Sequence, residues 1–290
     1  MVGHGLDSDA IGGEAAGVPF IALPPRERLE QAPLVIAWHM LDPPRSETAM
    51  AAALPLNGLD AWRVYLGLPL SGTRLPAGGL DEVFALGSED AVLNLDAPIV
   101  RHAVEEFTPA LSELRRRFGV ADRPLGLIGA SAGAFVAQTV LAESETAVAA
   151  AALVSPAIRL SSVVAANERR FGVSYPWSDA SRNVAARFDF TARADEIARR
   201  LAPTLLVVGA NDDTEGFMRP AEELRDLLSA RGVEASLVRI PRMAHALAEE
   251  PGLEPAEQTR AAAAVDDALA AWFNRHLAPR TEPGGAGQAR

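Results

Sequence analysis

Residues 124–143 read Pro-Leu-Gly-Leu-Ile-Gly-Ala-Ser-Ala-Gly-Ala-Phe-Val-Ala-Gln-Thr-Val-Leu-Ala-Glu, and this stretch decides the fold class. Its first five residues form a short apolar run typical of a buried strand, and the run from Ala134 to Glu143 predicts a helix. A serine presented on the sharp turn between them needs small residues two positions to either side, because the strained backbone brings those positions against neighbouring chain. Gly129 and Gly133 meet that requirement, so we predict Ser131 to be a nucleophile.

The position of Ser131 at the amino end of a helix has a second consequence. The backbone amide of Ala132 and the helix dipole point toward the place where negative charge would develop on a substrate oxygen. The glycine-serine-glycine spacing by itself is weak evidence, since a glycine-rich turn with an incidental serine has the same spacing. The strand before it and the helix after it make the functional reading the stronger one.

The rest of the chain alternates short apolar runs with longer amphipathic stretches, as expected of parallel strands joined by helical crossovers. The predicted strands are Leu34–His39, Trp62–Leu68, Leu125–Ile128, Ala150–Val154, Leu205–Val208 and Ser236–Ile240. Helices are predicted from Pro98 to Phe118 with Asp96 as a possible cap, after Pro220, and near the carboxyl end before Pro279. This pattern predicts an α/β protein with a mostly parallel sheet flanked by helices on both faces.

One domain is expected, because 290 residues with 49% hydrophobic content form one large core without requiring a division. Residues 1–16 and 279–290 lack periodicity and are predicted to be mobile tails around a domain at 17–278. Two connections are too long for simple turns, one at 69–97 and one after Pro156. The second contains an aromatic-rich segment, about 157–200, which we predict to be a small cap insertion over the active site and call the cap segment.

The turn Gly129-Ala-Ser131-Ala-Gly133, with the strand before it and the helix after it, resembles that of the α/β-hydrolase family, whose chain order is nucleophile, acid, histidine. The resemblance covers about residues 17–278 and implies that the acid lies in the loop after Thr204–Val208, where Gly209-Ala-Asn-Asp212-Asp213 follows. Asp212 fits the family's Gly-x-x-Asp pattern, and Asp213 stays open as the alternative. The same chain order implies that His245 is the general base, since it follows the last predicted strand.

The resemblance also implies an oxyanion site formed by backbone amides. Ala132 supplies one amide, and Met40 or Leu41 supplies the other, because these residues follow the strand that ends in Trp38-His39. Many relatives have glycine after that histidine, whereas this chain has Met40. His39 itself is interpreted as a structural histidine at a strand end.

Other candidate site residues come from the long connections. Aromatic residues of the cap segment are weaker candidates for the substrate pocket: Phe171, Tyr175, Trp177 and Phe188. Arginines in loops near the predicted mouth are interpreted as solvated surface residues, with recognition of a substrate carboxylate as the alternative. They are Arg45, Arg74 and Arg219.

The composition excludes several kinds of chemistry. All 27 basic residues are arginine and there is no cysteine, so lysine-dependent phosphate loops, Schiff bases, serine-lysine dyads and thiolate sites are absent from the sequence. A net charge of -11 argues against binding nucleic acid through its phosphates. No residue cluster implies a metal or organic cofactor. The amino-terminal residues do not resemble a signal peptide and no apolar run is long enough to span a bilayer, so we expect a cytoplasmic protein without membrane attachment.

The predicted function is hydrolysis of a carboxylic ester or thioester of a small molecule through an acyl-serine intermediate, with no cofactor. Two alternatives stay open. In the first alternative, a protein of the same fold acts on a peptide, lactone or carbon-carbon bond. In the second, the protein binds a small ligand without catalysis. Oligomeric state is left undetermined by the sequence.

Overall fold

An eight-stranded, mostly parallel sheet organises the chain in a computed structural model that describes residues 9–27 and 32–277. The strands are β1 Ile11–Ala15, β2 Val18–Leu23, β3 Leu34–Trp38, β4 Trp62–Leu66, β5 Leu125–Ala130, β6 Val148–Val154, β7 Thr204–Gly209 and β8 Ala235–Ile240. They lie in the order β1-β2-β4-β3-β5-β6-β7-β8, and β1 and β2 are antiparallel to their neighbours while the rest are parallel. The six strands predicted from the sequence are confirmed.

The hairpin of β1 and β2 was missed by the sequence prediction. Ala16 and Gly17, which connect the two strands, have positive φ angles of 49° and 80°, as a two-residue hairpin turn requires. The interpretation of residues 11–16 as part of a mobile tail is therefore wrong, because residues 11–15 pair with β2. The remainder of that predicted tail up to residue 8, and the one at 279–290, lie outside the described residues.

Helices flank the sheet on both faces, as predicted. The α-helices are α1 Glu47–Ala53, α2 Gly79–Asp90, α3 Ala97–Phe118, α4 Ala132–Glu143, α5 Leu160–Phe171, α6 Asp179–Arg187, α7 Ala194–Ala198, α8 Arg219–Ala230 and α9 Arg260–Leu277. The cap segment contains α5, α6 and α7, and the connection at 69–97 contains α2 and a π-helical turn at 91–96. Because that turn leads directly into α3, Asp96 has helical backbone angles and makes no capping hydrogen bond, so its predicted capping role is wrong.

The two faces of the sheet bury separate apolar clusters. In β3, Leu34, Ile36 and Trp38 belong to one cluster, and Val35 and Ala37 belong to the other. This alternation follows from the period of two along a strand, and it explains why β3 is apolar throughout. Because both faces are covered, we expect a ligand to bind at the edge of the sheet where the parallel strands have their carboxyl ends.

Candidate active site

Ser131 lies at the strained turn between β5 and α4. Its φ of 48° and ψ of -112° are unfavourable for a residue with a side chain, and its amide donates to the carbonyl of Val154 at 3.0 Å. A Cβ atom on Gly129 would lie 2.4 Å from the Gly133 carbonyl oxygen, and one on Gly133 would lie 2.5 Å from that of Trp38. The prediction that only very small residues fit on either side of Ser131 is confirmed.

Three side chains predicted from the sequence meet at this turn. The Ser131 Oγ lies 2.8 Å from Nε2 of His245, and Nδ1 of the same imidazole lies 2.9 Å from Oδ2 of Asp212. Since the carboxylate only accepts, Nδ1 carries the proton and Nε2 is left to accept one from the serine hydroxyl. The Asp212 side chain is 2% exposed and that of His245 is 14% exposed, so the relay is largely shielded from water.

The loops that carry the acid and the histidine are joined to each other by backbone contacts. The amide of Ala210 donates to Ile240 at 3.0 Å, and the amide of Asn211 donates to Met243 at 2.8 Å. At Gly209 a Cβ atom would lie only 2.4 Å from the Met243 carbonyl oxygen, so glycine is what lets the two loops approach. The separation of Asp212 from His245 is thus set by the backbone.

The choice between the two neighbouring aspartates is decided by their partners. Oδ1 of Asp212 accepts from the amide of Asp213 at 2.7 Å, which leaves Oδ2 for the histidine. Asp213 instead pairs with Arg169 at 2.7 and 3.2 Å and accepts from the amide of Gly216 at 2.7 Å. The hydrogen bond from Arg169 lowers the pKa of the Asp213 carboxyl. Asp213 faces the cap segment, so Asp212 is the carboxylate that contacts His245.

Two backbone amides are free to face a substrate oxygen beside Ser131. Within the described part of the chain, the amides of Ala132 and Leu41 have no hydrogen-bond acceptor. The amide of Met40 donates to the Pro44 carbonyl at 3.2 Å. The expectation that Met40 is an oxyanion donor is therefore wrong, because that amide is already satisfied, and Leu41 remains.

His39 has the structural role that the sequence suggested. Its Nδ1 donates to the Met40 carbonyl at 2.7 Å, and its Nε2 accepts from the amide of Leu68 at 3.0 Å. Complete burial lowers the pKa of His39 to about 4, which keeps the imidazole neutral. It fixes the end of β3 and does not reach the reacting atoms.

Two residues near the imidazole were not found from the sequence. The ring of Phe217 lies 4.1 Å from that of His245, centroid to centroid, and Oδ2 of Asp42 lies 3.9 Å from His245 Nε2. The other carboxylate oxygen of Asp42 accepts from Arg170 at 3.0 Å. Phe217 belongs to a π-helical turn at 214–218, and Asp42 follows the oxyanion amide directly, so neither carries a motif that would have shown it.

The four aromatic residues predicted to line the pocket make other contacts. Phe171 is 62% exposed, with Arg170 over its ring, so its place in the substrate pocket stays a prediction. Tyr175 packs on Trp177 and its hydroxyl donates to Asp90 at 2.5 Å, while Phe188 packs against Phe135 of the nucleophile helix. These contacts are typical of side chains that hold the cap segment in place.

The three loop arginines are all engaged in ion pairs. Arg74 binds both oxygens of Glu106 at 2.6 and 2.8 Å, and Arg219 pairs with Glu215 at 2.8 Å on the surface. Arg45 is only 6% exposed and pairs with Glu250, so its interpretation as a solvated surface residue is wrong. A substrate carboxylate would have to displace an existing partner at each of them.

No helix at 9–27 or 32–277 combines the length and apolar character needed to cross a bilayer. Over the same residues there is no group of three or more His, Cys, Asp or Glu side chains arranged to hold a metal ion.

The model of the prolyl oligopeptidase family of serine peptidases matches residues 100–280, which include the serine, the acid and the histidine. The chain belongs to this family. Its fold is the α/β-hydrolase fold. No curated protein sequence matches the chain.

Solved structures show the same fold at low sequence identity. Acylaminoacyl peptidase from Pyrococcus horikoshii superposes with a TM-score of 0.61 at 16% identity, over 95% of this chain and 42% of the other. A carboxyl esterase from the mycorrhizal fungus Tuber melanosporum gives a TM-score of 0.54 at 16% identity, over 94% and 88% of the two chains. An esterase/lipase from an uncultured bacterium gives 0.58 at 15% identity, over 94% and 87%. The chain therefore spans about two fifths of the length of that peptidase.

Proposed function

We propose that this protein is a serine hydrolase that cleaves a carboxylic ester or thioester of a small molecule through an acyl-serine intermediate on Ser131. The observation that carries the proposal is the relay from Ser131 Oγ to His245 Nε2 at 2.8 Å and from Nδ1 to Asp212 at 2.9 Å. Distances of this size permit proton transfer in both halves of the reaction.

The proposed reaction follows from the roles of these atoms. His245 removes the proton from the Ser131 hydroxyl as the oxygen attacks the acyl carbon, and Asp212 stabilises the imidazolium that forms. The amides of Ala132 and Leu41 bind the developing oxyanion. The imidazolium then gives its proton to the alcohol or thiol that leaves. Water, activated by the same imidazole, releases the acid and restores the serine.

A small substrate is supported by the way the cap segment contacts the site. At the end of α5, Arg169 pairs with Asp213 on the acid side, and Arg170 pairs with Asp42 on the oxyanion side. The cap segment is thereby attached on both sides of the relay, and Ser131 is 7% exposed. Such restricted access favours a compact acyl group over an extended polymer.

A second candidate is cleavage of a peptide bond, which is favoured by the family to which the chain belongs. Esters and peptides share the acyl-serine route, but an amine leaves less readily than an alcohol and depends more strongly on protonation by His245. A panel of p-nitrophenyl esters with acyl chains of increasing length, together with aminoacyl p-nitroanilides, separates the two candidates. We expect ester turnover with the highest kcat/KM for short acyl chains. Faster turnover of the anilides would reverse the order of the two candidates.

Ser131→Ala is the control for the whole panel. We expect it to lose at least a thousandfold in kcat/KM while still binding substrate, since the nucleophile is removed and the pocket is kept. Turnover that persists in Ser131→Ala would contradict the acyl-serine mechanism.

A further inference from the structure

Arg45 joins the loop that carries the oxyanion amide to the loop that follows the catalytic histidine. The first, residues 39–46, is called the oxyanion loop, and the second, residues 241–253, the histidine loop. The Nε of Arg45 donates to the Leu41 carbonyl at 2.7 Å, and one terminal nitrogen donates to the Pro251 carbonyl at 2.6 Å. The other terminal nitrogen lies 3.1 Å from the carboxylate of Glu250.

Further hydrogen bonds of backbone and side-chain groups around Arg45 join the same two loops. Its own amide donates to the Gly252 carbonyl at 2.6 Å, and the Pro43 carbonyl accepts from Leu247 at 3.0 Å. The Ser46 hydroxyl donates to the Leu253 carbonyl at 2.6 Å. The two loops are therefore held together along their length. Among the side chains at 9–27 and 32–277, only that of Arg45 makes hydrogen bonds both to Leu41 and to the histidine loop.

The position of this connection matters because of what each loop carries. Leu41 supplies the free amide beside Ser131, and its carbonyl, bound by Arg45, belongs to the next peptide unit. Holding that carbonyl limits rotation of the backbone at Leu41 and so fixes the direction of the amide. The planar guanidinium with its several donors is suited to hold three acceptors at once.

We propose that Arg45 is a positioning residue for the reaction, which sets the Leu41 amide relative to His245 and thereby the strength of oxyanion binding. The proposal rests on the proposed function of the site. It assigns Arg45 no contact with substrate. Its removal should weaken binding of the tetrahedral transition state much more than binding of the ground-state ester.

Arg45→Met tests this, because methionine fills part of the same volume without donors. Arg74→Met is the matched control: Arg74 also makes a two-point ion pair, with Glu106, and donates to the carbonyl of Gly67 at 3.1 Å, but in the described part of the chain its side chain makes no hydrogen bond or ion pair with either loop. Both proteins are assayed for thermal unfolding, for kcat and KM on p-nitrophenyl butyrate, and for inhibition by a trifluoromethyl ketone. That ketone forms a tetrahedral adduct with serine and places an oxyanion in the site.

We expect Arg45→Met to lower kcat about 100-fold, near the loss known for removing one oxyanion donor, with KM changed less than threefold. The affinity for the trifluoromethyl ketone should fall in proportion to kcat/KM. Arg74→Met should keep kcat within threefold of wild type. If Arg45→Met keeps kcat and ketone affinity within threefold, or if Arg74→Met loses them equally, the proposal is overturned.

Glu250→Gln keeps the test decisive if Arg45→Met does not fold. Glu250 is 64% exposed, so the substitution should leave stability nearly unchanged while it loosens the guanidinium. We expect a decrease of about fivefold in both kcat and ketone affinity, and unchanged values for both would overturn the proposal. Failure of the proposed function is distinguishable from either result, because in that case the wild type itself would neither turn over the ester nor bind the ketone.

Discussion

Replacing Asp212 by asparagine changes the proton arrangement of His245 without removing any heavy atom. One oxygen of Asp212 must accept from the Asp213 amide at 2.7 Å, so the carbonyl oxygen of the new amide takes that position. The amide NH2 then faces Nδ1 of His245, which lies 2.9 Å from Oδ2 in the wild type. Two donors cannot face each other, so Nδ1 loses its proton and Nε2 gains one.

The size of the expected loss in kcat follows from the effect of the altered imidazole on Ser131. With Nε2 protonated, the imidazole donates toward the serine hydroxyl and no longer accepts its proton, and the imidazolium formed later loses the counter-charge of Asp212. In a well-studied serine hydrolase the same change lowers kcat about 10⁴-fold, or about 5 kcal/mol in the barrier. We expect a loss of about 10³- to 10⁴-fold here, with ester KM within a few-fold of wild type.

Asp213→Asn is the matched control, since it makes the same change at the next residue. Its ion pair with Arg169 is partly exposed on both sides, and such pairs contribute little to stability. We expect kcat within threefold of wild type, measured with p-nitrophenyl butyrate at neutral pH, alongside thermal unfolding of both variants. An Asp213→Asn protein as inactive as Asp212→Asn, or an Asp212→Asn protein within tenfold of wild type, would refute the assignment of the acid.

Two further predictions concern the surroundings of the site. Gly133→Ala places a Cβ atom 2.5 Å from the Trp38 carbonyl oxygen, so we expect a loss of about 1–3 kcal/mol in unfolding free energy and a lower kcat. Gly12→Ala is the control, because its Cβ atom would lie 3.8 Å from the nearest neighbour, and it should change neither quantity. Denaturant titrations and ester assays of both variants measure the two quantities. His39 has a pKa lowered to about 4 by burial, so its contribution to stability is complete above the unfolded value of about 6.5 and is lost as pH falls toward 4. The stability difference between wild type and His39→Gln should therefore shrink by about 3 kcal/mol from pH 7 to pH 4, and a difference independent of pH would show that the imidazole is not held neutral.

The strands and the turn at Ser131 were predictable because they depend on local patterns. Continuous apolar runs predicted the six parallel strands, since both faces of β3 and its neighbours are covered. The turn around Ser131 was predictable because its tight contacts allow only glycine at two fixed positions. The hairpin of β1 and β2 was missed because Gly12-Gly13 and Pro19 weaken the strand signal, and its pairing partners lie far along the chain.

The parts of the site that were not predictable depend on contacts between distant loops. Whether Asp212 or Asp213 turns inward is decided by Arg169, 44 residues earlier than Asp213. The satisfied amide of Met40 and the burial of Arg45 likewise follow from how the oxyanion loop folds against the histidine loop. Sequence spacing identifies the candidate residues, and hydrogen bonds between residues distant in the sequence determine which candidate lies in the site.

Labelling with a fluorophosphonate tests most directly whether Ser131 is an activated nucleophile. Intact-mass measurement of the folded protein should show a single adduct, and peptide mapping should place it on Ser131. Labelling should slow at least a hundredfold in His245→Ala and disappear in Ser131→Ala. A wild-type protein that stays unmodified while folded, or an adduct mapped to another residue, would contradict the account.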